Sequence, residues 1–173
     1  MNERWQTAVH EAAHACAAVA IGGECSRLAI FSDGGGLATL DGLTPFGIAI
    51  ATAAATAAVE LLGSEPPPPE PDPAASDVRQ AVGYLTPSEE LAALASRFPA
   101  DTTPSDERTI ALYCITRCEV EGPEHWVARF HKVHARARRV VEDHRVQILS
   151  VARALFARGV LHTHDIEKEM GRT

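Results

Sequence analysis

The chain lacks an uninterrupted apolar stretch long enough to cross a lipid bilayer. The two longest candidates, residues 12–21 and 46–59, are short and dominated by alanine, and the second is broken by Thr52 and Thr56. No basic segment followed by an apolar run precedes them, so no secretory leader and no membrane segment are expected, and the default compartment is the cytoplasm. Cysteine is scarce: Cys16, Cys25, Cys114 and Cys118 could form two bridges, but without an export signal they are expected to stay reduced and mostly buried. Positive charge is also in deficit. A formal net charge of -7 excludes a general electrostatic footprint for nucleic acid, which needs clustered Lys and Arg. A G-x-x-x-x-G-K phosphate loop is missing, which excludes an ATPase of that type, and so is any repeat of about 20–50 residues, which excludes a solenoid. What remains is a chain of 173 residues, 46% apolar, sufficient for one core and read as a single domain over 1–173.

Local signals divide this chain into mostly helical pieces. Trp5, Val9, Ala12, Ala13, Cys16, Ala17 and Ala20 recur at three- and four-residue spacing before Gly22-Gly23, which predicts an amphipathic helix over residues 2–21 with small side chains that let a neighbour come close. Residues 26–31 and 37–40 flank the turn Ser32-Asp33-Gly34-Gly35-Gly36, the pattern of a small β-hairpin or of two edge strands. Pro45 opens an alanine-rich helix that reaches Leu62 and stops at Gly63. Residues 65–73 carry too many prolines for helix or central strand and predict a stiff, exposed loop. Helices are expected over 76–85, 88–98 and 105–120, then over 124–158 with a bend near Asp143-His144 and a stop at Gly159, and a last turn or helix from Thr163. The fold class is mainly α with a little β near residues 26–40.

Within the first helix stands His10-Glu11-Ala12-Ala13-His14. Side chains four apart share a helix face, so His10 and His14 can direct imidazole nitrogens at one metal ion, while Glu11 sits one position round. There it can act on a water beside the metal without ligating it, as the general base of a metal-assisted hydrolysis requires. A chance match to such a pattern is expected in about one chain of this length in a hundred. The competing interpretation is a helix whose two histidines cap or pair locally.

Catalytic zinc takes three protein ligands and an open position. Positions 17 to 20 read Ala-Ala-Val-Ala, so the extended pattern with a nearby third histidine is absent and the remaining ligand must be remote. Glu60, in A-A-V-E-L-L-G, and Asp77, in A-A-S-D-V-R-Q-A, both lie on predicted helices among small neighbours, and spacing does not choose between them.

Several stretches in order resemble the peptidase domain of the FtsH-type, AAA-associated zinc metalloproteases. A-V-H-E-A-A-H-A is similar to that family's H-E-A-G-H-A helix. A-A-V-E-L-L-G and A-S-D-V-R-Q-A are similar to its A-A-E-E-rich helix and its S-N-D-containing helix, and A-R-R-V-V-E-D-H-R-V-Q-I-L-S-V-A-R-A-L-F-A-R-G-V-L to its closing helical pair. The resemblance implies Zn2+ as cofactor, with His10, His14 and Asp77 as ligands and Glu11 as base. It also implies that a strand around residues 27–31, with Leu28, Ala29 and Ile30, offers a free edge to an extended peptide. Ala13 stands where the family has glycine, and the proline loop lengthens the connection to Asp77.

The expected activity is therefore a zinc metalloendopeptidase acting on flexible or unfolded polypeptides. Without an ATPase of its own it would depend on such substrates or on a separate ATPase or adaptor, and a homo-oligomer is compatible with the resemblance. The alternative is a non-catalytic, zinc-stabilised module that binds a peptide or protein. The basic run between His131 and Arg145 reads as a solvated helix face, and Cys114 and Cys118 as buried thiols, since no second pair at structural-zinc spacing accompanies them.

Overall fold

A computed structural model describes residues 2–68, 106, 109–110, 113–114 and 123–172, with the side chains of the last stretch from residue 128. Helix α1 (Glu3–Ala20) starts where Asn2 accepts a hydrogen bond from the Trp5 N–H at 3.1 Å, satisfying one of the four donors a helix start leaves open. Every residue from Ala12 to Val19 is buried. A helix apolar on all sides belongs inside a fold, and its alanines let other elements approach it closely. Gly22, at φ 91°, turns the chain out of the helix in a conformation that other residues seldom adopt.

The chain then enters strand β1 (Glu24–Ile30) and returns through strand β2 (Gly36–Asp41). Thr44 caps helix α2 (Pro45–Leu62) by accepting from the Gly47 N–H at 3.1 Å, and Pro45 takes the first helical position, where its missing N–H costs nothing. By length and composition α2 is apolar enough to cross a membrane, contrary to the expectation from residues 46–59, yet 56% of it is buried inside the fold. It packs between α1 and helix α3 (Pro123–Asp143), as a core helix does. Helix α4 (Arg145–Arg158) follows after the bend at His144 and packs on α1. Gly159, at φ 75°, reverses the chain into strand β3 (Val160–His162) and helix α5 (Thr163–Glu169).

The three strands form one antiparallel sheet in the order β2-β1-β3. Leu28 is opposite Ala38 on one side and Leu161 on the other. The hairpin was legible in the sequence; the third strand, three residues long, was not. Trp5 and Phe156 meet edge to face at 5.9 Å between ring centres, beneath the Arg4 guanidinium at 5.6 Å, and tie α1 to α4. The mainly helical class with a small sheet is as expected. Of the proline loop, residues up to 68 are described, and the helices expected over 76–85 and 88–98 lie outside the described residues.

Candidate metal centre

His10 and His14 project from one face of α1, one turn apart, and their rings meet edge to face at 4.8 Å. His14 is buried, and its Nδ1–H donates to the Ala51 carbonyl of α2 at 3.0 Å. A carbonyl can only accept, so this bond fixes the proton on Nδ1 and leaves the Nε2 lone pair free to ligate. Burial lowers the His14 pKa to about 4, with His10 also lowering it and Asp106 opposing, so the ring is neutral at physiological pH.

The third member of the group is Asp106, a helical residue that the sequence reading did not single out. Its Oδ2 lies 3.2 Å from His10 Nε2 and 3.5 Å from His14 Nε2, and the two nitrogens are 3.2 Å apart. Burial works to raise the Asp106 pKa, but the two imidazoles, His10 foremost, overcome it and hold the carboxyl below its ordinary value. Oδ2 is buried without a well-aligned hydrogen bond despite this proximity. A tetrahedral ion with bonds of about 2.0–2.2 Å to nitrogen and oxygen separates its ligand atoms by about 3.3–3.6 Å. The observed triangle matches one face of such a site. Two imidazole nitrogens and a carboxylate are also a donor set suited to zinc.

Glu11 is buried beside this triangle. Burial raises its pKa to about 7; His10 lowers it and Asp106 adds to the rise. The turn after β1 holds it from the other side. Thr7, one helical turn before His10 and Glu11, donates its hydroxyl to the Gly34 carbonyl at 2.8 Å, and Gly35 N–H bonds Asp33 Oδ1 at 3.0 Å. This fastens the hairpin on α1 so that Gly36, the first residue of β2, sits against the Glu11 carboxyl.

One of the two candidate third ligands drops out, and one expectation changes. Glu60 is exposed near the end of α2, nine residues past Ala51 and so about 13 Å along the axis from the level at which His14 meets that helix. It is therefore not brought to the histidine pair. Asp77 lies outside the described residues. Ser76-Asp77 and Ser105-Asp106 are the same dipeptide at the start of two predicted helices, so Asp106 carried the same local signal as Asp77 and no other. Nor does β1 offer a free edge. Arg27, Leu28 and Ala29 pair with β2 and β3 at once, Ile30 N–H bonds the Gly159 carbonyl at 2.8 Å, and Leu28, Ala29 and Ile30 are buried. Among the described residues, the open edge beside Glu11 belongs to β2.

The sequence signature of a family described as Peptidase M50B-like matches residues 3–63, which run from α1 through the hairpin to the end of α2. The match covers roughly a third of the chain and supports a metallopeptidase. This family differs from the FtsH-type one that the segments above resemble. No curated protein matches the chain.

Proposed function

We propose that this chain is a zinc-dependent endopeptidase in which His10, His14 and Asp106 hold the metal and Glu11 is the general base. The observation that carries the proposal is the triangle of ligand atoms, 3.2 to 3.5 Å on a side, next to a buried carboxyl. Zinc held by these three residues would supply Lewis acidity, lowering the pKa of water to about 7 and polarising a peptide carbonyl. Glu11 takes the proton of the attacking water and returns it to the departing amine. Its raised pKa suits both halves of that exchange near neutrality, and a cation next to it draws the value downward. His14, neutral and fixed by Ala51, contributes orientation as well as a lone pair.

The open edge of β2 takes an extended peptide by backbone pairing, which delivers a carbonyl to Glu11 with little demand on sequence. Flexible or unfolded polypeptides meet that requirement, and folded ones would need an unfolding ATPase or an adaptor. We keep the FtsH-type relationship as the finer reading, because its segments reach from α1 to α4 whereas the M50B-like match ends at residue 63.

Purified, zinc-loaded chain should cleave casein, and Glu11→Gln should lose activity by about 100-fold or more while keeping its zinc. Cleavage that survives in Glu11→Gln refutes the mechanism. Zinc without any turnover would identify a binding module instead.

A further inference from the structure

The hydrogen bonds of the sheet fix which residues of β2 turn their backbone to its outer edge. Ile30 N–H bonds the Gly159 carbonyl and Phe31 N–H bonds the Gly35 carbonyl, both at 2.8 Å. Along a strand, successive residues point N–H and C=O to opposite sides. In β1, Ile30 and Leu28 therefore face β3, whereas Ala29 and Arg27 face β2 opposite Leu37 and Thr39. Leu37 and Thr39 thus turn their backbone groups inward to β1, and Gly36, Ala38 and Leu40 turn theirs outward. Each residue from Gly36 to Leu40 keeps partial contact with solvent, and Asp41 is exposed.

Side chains alternate in the same way, but between the two faces of the sheet. Gly36 lies against Glu11, and Ala38 and Leu40 pack on the core, so these three belong to the face on α1. Leu37 and Thr39 project from the other face. There the register builds two rows across the sheet, one of Leu37, Ala29 and Val160 and one of Thr39, Arg27 and His162. The first row is apolar, with Ala29 and Val160 buried, and it stops at the outer edge on Leu37, which is half-buried. The second is polar and ends on the exposed His162.

A strand added at this edge continues both rows. Backbone pairing through Gly36, Ala38 and Leu40 does not distinguish sequences, and Gly36 and Ala38 carry at most a methyl group. Discrimination near Glu11 is left to Leu37. In an antiparallel partner the residue facing Leu37 occupies a non-hydrogen-bonded position, because Leu37 spends its own backbone groups on β1. Cα atoms are about 4.5 Å apart at such a position, and side chains come closest there. From this register we infer that Leu37 is a specificity-determining residue of the β2 edge, favouring extended peptides with a β-branched or aromatic side chain opposite it, on the face turned away from Glu11. The peptide residue two positions along meets Thr39 and carries no apolar demand. The inference rests on the proposed docking of substrate at β2, but the preference is read from binding, without turnover.

The test titrates full-length, zinc-loaded Glu11→Gln protein into fluorescein-labelled dodecapeptides of alternating Ser and Thr with one central guest, Val, Tyr, Ala or Glu. The uniform host lets the guest slide to the register that suits it. Fluorescence anisotropy should show Val and Tyr favoured over Ala by about threefold, with Glu weakest. Leu37→Ile should keep this order, Leu37→Ser should flatten it, and Leu37→Lys should turn it in favour of Glu, with circular dichroism and zinc content confirming that each variant is folded. Equal binding of all guests, no binding of any, or the wild-type order surviving in Leu37→Ser and Leu37→Lys overturns the inference. Cleavage of the same peptides by the wild-type chain separates the two readings. Turnover without apolar preference refutes the role of Leu37 and leaves the peptidase standing, whereas apolar preference in binding without turnover does the reverse.

Discussion

Gly36 opens β2 directly against Glu11: a methyl group on Gly36 would lie 2.5 Å from Glu11 Oε1 and 2.8 Å from its carboxyl carbon. Both distances are far inside van der Waals contact, and Glu11 is buried with little room to retreat. Glycine is therefore required at this point by the carboxyl it faces.

Gly36→Ala should displace the Glu11 carboxyl while leaving the three ligand atoms in place. We expect a kcat loss of about tenfold or more, zinc content unchanged, and destabilisation of about 1–3 kcal/mol, the usual cost of overpacking. The measurements are turnover of an unfolded substrate, metal analysis and denaturant unfolding. Full activity in the variant would show that Glu11 is not held by this contact.

The thiols of α1 and β1 should be inert. Cys16 and Cys25 are buried; burial pushes Cys25 up to about 12 and raises Cys16 as well, so neither is thiolate near neutrality. Cys114 is buried too. In a Cys118→Ser background at pH 8, a disulfide reagent should modify no thiol until guanidinium unfolds the chain. Modification of Cys16 or Cys25 in native buffer at the rate of a free thiol would contradict the packing of α1 against the sheet.

Stability should fall at acid pH through Asp165. Slight burial opposes the shift, but the Arg158 guanidinium, 2.7 Å away, and the His162 backbone N–H, at 3.2 Å, hold the carboxyl below its ordinary value. A carboxyl whose folded pKa is depressed stabilises the fold above its unfolded pKa and loses that contribution as pH falls through the folded one. Asp165→Asn should therefore cost up to about 1 kcal/mol at pH 7, limited by solvent screening, and nothing at a pH low enough to protonate the carboxyl in the folded as well as the unfolded chain. Urea unfolding at the two pH values reads the difference. An equal cost at both would assign the effect to packing rather than charge.

Much of this fold was written in local punctuation. Asn2, Thr44-Pro45, Gly22-Gly23, Gly63 and Gly159 mark starts and stops by removing or satisfying backbone groups, and the helices begin and end within a residue or two of them. The bend expected near Asp143-His144 falls between α3 and α4 for the same reason. Pairing over long separations was not written there. β1 becomes a central strand because Arg27 meets His162, and β3 is too short to produce an alternation of its own. The half-site His10-Glu11-His14 was legible because one helix face sets its geometry. Asp106 was not, since nothing local distinguishes Ser105-Asp106 from Ser76-Asp77.

That pair of aspartates gives the most direct test. Zinc bound per chain should be measured by elemental analysis after dialysis for the wild type, Asp106→Asn and Asp77→Asn, with circular dichroism confirming that each is folded. With His10, His14 and Asp106 as ligands, the wild type and Asp77→Asn should retain about one zinc. Asp106→Asn should lose more than about a hundredfold in affinity, since loss of even an outer-shell partner costs about 10–100-fold. Retention of zinc by Asp106→Asn and its loss from Asp77→Asn would contradict the site described here.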